Sequence, residues 1–303
     1  MDNVLSGRYR LLDEVGTGGS ARVFRALDEK RKRIVAIKYI QSPGKISRGM
    51  AMRFYREIAA FSRMNHPHIV GFISAHFRPP LCYIVSEYVE GASLSTILDR
   101  LVRVPPQMAL SIMVELFSAL EYMHSKGFIH ADLSPSNIMI TKAGLAQLTD
   151  FGLVRHTREG SGNVLFGTPG YYSPEHLKLK TLAPKSDVFS LSLVLFEMLT
   201  GQRALPPIND RRAVLAFMEA IPFDVIDGGD PFRTQMLQQL MKNLLARSFF
   251  SRINHAAEAG LLVTKVMKIC RYEYIPGSLQ ALVQQVGDRR SKERSVFRSA
   301  YTG

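Results

Sequence analysis

Residues 130–137 read HADLSPSN. Two residues after His130 comes Asp132, five beyond that Asn137, and thirteen further on the triplet Asp150-Phe151-Gly152. Two carboxylates and a carboxamide can supply a general base together with hard-oxygen ligands for a divalent cation such as Mg²⁺, which normally uses only one or two protein carboxylates and keeps waters. Singly, each acidic residue reads equally well as a turn cap. The neighbouring sequence decides whether they act together.

Upstream, Gly16–Val23 is GTGGSARV, set between two β-like runs. Glycines there let backbone amides approach phosphate oxygens with no Cβ in the way. The run VAIK ends in Lys38. A helix follows in which Met50, Phe54, Ile58 and Phe61 form an apolar stripe, with Glu57 beside it. Glu57 either turns inward to fix the Lys38 ammonium against phosphate or stays at the surface and pairs with Arg53, four residues back. Downstream lie GTPGYYSPE at 167–175 and DVFSLSLVLFEMLTG at 187–201.

From Arg8 to about Ser86 the runs RYRLLDEV, ARVFRAL, RIVAIKYI, GFISAHF and LCYIVSEY predict a small antiparallel sheet carrying one helix. After Gly91 the period changes: residues 105–126 predict a half-buried helix, 187–200 a buried one ended by Gly201, and 211–220, 231–247 and 255–268 further helices. A short helix is expected at 277–286, and the charged, Ser-rich DRRSKERSVFRSAYTG after it predicts disorder.

The chain has 303 residues, 46% of them hydrophobic, and a net charge of +13. That excess of cations fits polyphosphate binding and a basic tail; without an aromatic-and-basic strand pattern or a helix-turn-helix, nucleic acid is not the expected partner. No apolar run approaches the roughly 20 residues that span a bilayer. Cys82 and Cys270 lie in apolar stretches, which points to a reducing cytoplasmic setting and no disulfide framework.

Glycine loop, VAIK, helix glutamate, HxDxxxxN, DFG, GTPGYYSPE and the buried helix occur in the order and spacing of the eukaryotic-like (Hanks-type) serine/threonine protein kinase family, which the chain resembles over about residues 8–268. The opening GRYRLLDEVGTGGSARVFRALD and the text SEYVEG resemble its bacterial branch. The resemblance implies an α+β, bilobal fold: an N-lobe and hinge at 1–90, with a small antiparallel sheet and one main helix, a mostly helical C-lobe at 91–268, and a basic, partly disordered extension at 269–303. It implies ATP and Mg²⁺, with Mn²⁺ as an alternative, and Ser/Thr-bearing protein substrates.

Residue by residue, the resemblance implies that Gly16, Thr17, Gly18, Gly19 and Ser20 cover the ATP phosphates, with Ala21 where the family has a third glycine. Lys38, oriented by Glu57, would hold the α and β phosphates. Val23, Ala36 and Met139 would sandwich adenine, the backbone of Glu87 and Val89 would bond its edge, and Ser86 would be the gatekeeper. Asp132 matches the base, and Asn137 and Asp150 the metal ligands. Thr168 falls where serine/threonine kinases place a threonine beside that base, and Thr157 and Ser161 are candidate phosphosites of the activation segment. His130, Phe151, Asp187 and the pair Glu175–Arg252 would be architectural.

Two cations of the family pattern are missing, an arginine at Ala131 and a lysine at Ser134. The first implies activity without loop phosphorylation, the second a slower transfer unless Lys142 or Arg155 substitutes. HADLSPSN also resembles small-molecule kinases of the aminoglycoside and choline type, but those lack GTPGYYSPE. A nucleotide-binding scaffold is the third reading. The tail serines Ser291, Ser295 and Ser299 are candidate autophosphorylation sites.

Overall fold

The computed structural model describes residues 4–17, 21–40, 48–78, 81–157, 165–208, 210–246, 248, 250–275 and 277–286. Gly18, Gly19, Ser20, Ser161, Ser291, Ser295 and Ser299 lie outside these residues, as does the side chain of Thr17. The chain divides into two compact units, Met1–Glu90 and Gly91–Gly303.

The first unit is a six-stranded antiparallel sheet in the order β1-β2-β3-β4-β6-β5. Its elements are β1 (Val4–Leu5), β2 (Tyr9–Thr17), β3 (Ala21–Asp28), β4 (Arg33–Ile40), helix α1 (Arg48–Phe61), β5 (Phe72–Arg78) and β6 (Leu81–Glu87). Alternation along β4 separates two faces. Val35 and Ile37 are fully buried and join Tyr9, Ala26, Tyr83 and Val85 in one cluster. Ala36 and Lys38 therefore point to the opposite face. On α1 the buried residues are Phe54, Glu57, Ala60 and Phe61, so the glutamate lies inside the packed stripe.

The second unit opens with β7 (Gly91–Ser93) and runs through α2 (Leu94–Leu101), α3 (Pro106–Ser125), β8 (Phe128–Ile129), β9 (Ile138–Thr141), β10 (Ala146–Leu148), β11 (Arg155–His156), α4 (Pro174–Leu177), α5 (Pro184–Thr200), α6 (Arg211–Glu219), α7 (Pro231–Leu244) and α8 (Ala256–Ile269). Helix α5 is buried on all sides from Ser186 to Phe196, which explains its continuous apolar text. Gly201 caps it in the left-handed region at φ 75°, where a side chain would be strained. Gly91 is required for another reason: in the β7–β9 pairing a Cβ there would collide with the Ile140 carbonyl. The two units together have the expected α+β class. The short strands β7 to β11 and helix α2 go beyond the elements expected from periodicity, because runs of two to eight residues are too brief to show a repeat.

Packing of the larger unit continues past residue 268, the expected edge of its compact part. The Tyr274 hydroxyl donates to buried Glu115 at 2.8 Å, Gln107 donates to the Glu273 carbonyl at 2.9 Å, and residues 280–286 form a helical segment with Leu279, Leu282 and Val286 buried. The basic tail text starts only after this segment.

A buried ion pair ties α4 to the end of the fold. Arg252, 2% exposed, donates from Nη1 to both Glu175 oxygens at 3.1 and 3.0 Å and from Nε to the Ala246 carbonyl at 2.8 Å, with its guanidinium 4.7 Å from the Phe189 ring centre. Removing one partner leaves an uncompensated buried charge, which costs about 3–5 kcal/mol. Arg252→Ala should lose that much in a denaturant melt. The double replacement Glu175→Gln with Arg252→Met should recover a large part of it.

Candidate active site

In the first unit, register aligns the candidate nucleotide residues. Gly16 pairs with Val23, Val23 with Lys38, and Ala36 with Ser86. Directly opposed residues share a face, so Gly16, Val23, Ala36, Lys38 and Ser86 lie together on the side away from the Tyr9–Val85 cluster. Among the described residues a Cβ on Gly16 would meet Val23 alone, at an ordinary 3.8 Å. Among the described residues no crowding demands glycine there, which suits a face kept clear for a ligand. Lys38 Nζ stands 2.7 Å from Glu57 Oε1, with the two side chains 20% and 7% exposed. Of the two partners open to Glu57, the structure selects Lys38, and Arg53 is exposed. The Glu87 N–H is taken by the Gly71 carbonyl at 2.8 Å.

In the second unit the twelve residues between Asn137 and Asp150 form a hairpin. Strands β9 and β10 pair from Ile138↔Leu148 to Ile140↔Ala146, and the Thr149 N–H donates to the Asn137 carbonyl at 2.9 Å. Asn137 and Asp150 thus leave the same end of the hairpin, with Met139 on β9. The Asn137 amide donates to the Asp132 carbonyl at 2.8 Å and to Asp132 Oδ2 at 3.2 Å. Its amide nitrogen is occupied by the base candidate, so its oxygen is the end a cation would use. Asp150 adopts φ 55° and accepts the Gly152 N–H at 3.0 Å. Among the described residues no group of three or more His, Cys, Asp or Glu side chains is clustered to hold a metal. One carboxylate and one carboxamide fit a cation that completes its shell with phosphate oxygens and water.

Asp132 Oδ1 accepts two hydrogen bonds from Thr168, from its N–H at 2.8 Å and its hydroxyl at 2.6 Å. The carboxylate is therefore fixed from one side by Asn137 and from the other by the 167–175 segment.

The backbone in front of Asp132 hangs from one carboxylate. Asp187, 1% exposed, accepts the N–H of His130 at 2.8 Å and of Ala131 at 2.9 Å, and its Oδ2 lies 2.8 Å from His124 Nε2. Burial pushes the Asp187 carboxyl up, but the His124 hydrogen bond, the nearby imidazoles and the Ala131 amide more than offset it and hold it below the usual carboxylate range. Burial likewise opposes the Arg252 charge at Glu175, and again the net displacement is downward. Phe151 is 1% exposed, its ring 5.7 Å from that of His130.

The positions of the missing cations are filled. Ala131 is 3% exposed, at φ 65°, among Ile129, Leu182 and Phe166. Ser134 is 1% exposed and shares a hydrogen bond with Ser136 at 2.8 Å. The Arg155 guanidinium lies 3.8 Å from the Phe166 ring centre, while the Thr157 N–H donates to the Gly127 carbonyl at 2.9 Å. His124 and His176 escaped the sequence reading. The available signal for His124 was a lone histidine in the last turn of an apolar helix; for His176 it was a histidine three residues after Ser173, at a helix start.

The family model for the protein kinase domain matches residues 9–275. The chain belongs to the protein kinase family. Within this family it resembles bacterial serine/threonine kinases. The chain is 32% identical over 262 residues to the probable serine/threonine-protein kinase PknB of Lactococcus lactis, covering 84% of this chain and 41% of that protein. It is 36% identical to serine/threonine-protein kinase PknB of Mycobacterium leprae (70% of this chain, 35% of that one) and 36% identical to serine/threonine-protein kinase PrkC of Bacillus subtilis (65% and 31%). The chain thus spans less than half the length of these curated relatives. No helix among its described residues is long and apolar enough to cross a membrane.

Because Asp187 and Glu175 are held below the ordinary carboxylate value of about 4, their stabilisation is complete above that pH and is lost as pH falls through the lower folded-state values. Unfolding free energy followed from pH 7 down to pH 3 should fall below about pH 4. Asp187→Asn should be less stable at pH 7 and show a shallower acid dependence.

Proposed function

We propose that this chain is an ATP-dependent serine/threonine protein kinase, acting on protein hydroxyls and on itself. The observation that carries the reading is Asp132 bonded at once to Asn137 and, through both the N–H and the hydroxyl, to Thr168. Thr168 belongs to GTPGYYSPE, a segment the small-molecule kinases lack, so its bond to the base supports a peptide substrate. The relatives named as serine/threonine-protein kinases support the same substrate class.

In this reading Asp132 accepts the proton of the incoming Ser or Thr hydroxyl. Its oxygens are already oriented by three neutral donor groups, from Asn137 and Thr168, which keeps a lone pair aimed outward without neutralising the charge. Lys38, anchored by Glu57, holds the α and β phosphates of ATP, and the amides around Gly16 to Ser20 cover them. Asn137 and Asp150 hold Mg²⁺, with Mn²⁺ as an alternative. The metal, when bound, neutralises phosphate charge. Val23 and Ala36 supply apolar contact to adenine, the Glu87 carbonyl and Val89 amide bond its edge, and Ser86 borders the space behind it. The free, buried Cys82 and Cys270 suit a reducing, cytoplasmic setting.

The test is mass-spectrometric mapping of phosphosites after incubation with ATP and Mg²⁺, beside an Asp132→Asn control. Phosphate should appear on Ser and Thr only, and the control should be slower by about 10²–10⁴. Equal labelling of the two proteins, with ATP still bound, would sink the enzyme reading in favour of a nucleotide-binding scaffold.

Ser134 supplies no charge where a cation would meet the γ-phosphate. Losing one such group costs about 10²–10³ in rate. Ser134→Lys should therefore raise the single-turnover rate at saturating ATP by about 10-fold or more. An unchanged rate would mean that another cation already fills the role.

A further inference from the structure

His176 is 5% exposed and lies outside the groups assigned above. Its Nδ1 receives the Ser173 N–H at 3.2 Å and faces the Ser173 hydroxyl at 2.9 Å, closing a capping box at the start of α4. A backbone N–H can only donate, so Nδ1 is the acceptor and the proton sits on Nε2. Nε2 lies 3.2 Å from the Ala131 carbonyl, which can only accept. Both contacts are satisfied by one species, the neutral Nε2–H imidazole. Burial, opposed by the Ala131 carbonyl and the charges of Asp187, Glu175 and Asp132, holds the imidazole below its usual value and favours that species.

Ala131 immediately precedes Asp132 and sits in the left-handed region at φ 65°, which a residue with a Cβ adopts only when its surroundings enforce it. Asp187 holds its N–H side and His176 its carbonyl side. The Phe166 ring, itself stacked under Arg155, meets the His176 ring edge-on at 5.6 Å and packs against Ala131.

We infer that His176 is a positioning residue: through its Nε2–H bond to the Ala131 carbonyl it fixes the peptide that aims Asp132, tying the 166–176 segment to the catalytic loop without a phosphate. This rests on the assignment of Asp132 as base. A capping role alone would need only Nδ1, and the two functions separate by substitution. Asn places an acceptor where Nδ1 is and cannot reach Ala131; Gln places a donor where Nε2 is.

Steady-state kinetics on His176→Asn and His176→Gln should show kcat lower by about 10-fold or more in the Asn protein, with KM for ATP unchanged, and within about 3-fold of wild type in the Gln protein. Hydrogen exchange at the amides of residues 130–132, measured on the same proteins, should accelerate in the Asn protein only. This readout holds even where no phosphate is transferred, so a failure of the kinase reading stays distinct from a failure of this one. Equal kinetics and equal exchange in the two variants, or losses that track melting temperature, would overturn the positioning role.

Discussion

The second unit depends on one buried carboxylate. Taking the Asp187 charge out of water is costly unless each lone pair finds a donor, and the fold provides two backbone amides and an imidazole for it. Those partners come from two places, the end of α3 and the 130–131 turn, while Asp187 itself sits on α5. Satisfying Asp187 therefore fixes the register of a buried helix against an irregular loop. The loop has no ladder of its own to hold it, and Ala131 keeps a backbone angle that costs energy in isolation.

The chemistry-bearing groups inherit their positions from that anchor. Asp132 follows the suspended turn, Asn137 closes the loop back onto Asp132, and the β9–β10 hairpin carries the chain round so that Asp150 emerges beside Asn137. The thirteen-residue spacing between Asn137 and Asp150 is thus the length of a hairpin. Thr168 reaches the same carboxylate from a separate segment, so the state of that segment is felt at Asp132 through two hydrogen bonds.

The lost cations have different consequences. At Ala131 a small side chain is packed among apolar neighbours, and a cation–aromatic stack of Arg155 on Phe166 lies beside it. Cohesion that depends on packing needs no phosphate to appear. At Ser134 a buried hydroxyl stands instead and turns to Ser136.

The long periodic segments were legible without coordinates, because α3, α5, α7 and α8 each bury several turns and β4 alternates cleanly. The motif residues could be picked out because the family pattern fixes their types and spacing, and Glu175 with Arg252 could be paired through the same resemblance. What the chain order could not settle was choice among partners. Glu57 had Arg53 four residues away on its own helix and Lys38 nineteen residues away; only the packing of α1 with Glu57 inside its buried stripe selects Lys38. The same limit hid His124 and His176, whose partners lie 63 and 45 residues away. Residue type and local spacing determined which candidate groups this chain carries and where along it; which buried donor meets which buried acceptor was decided by tertiary structure, because desolvation penalises every polar group left unmatched and only the assembled fold shows which ones meet.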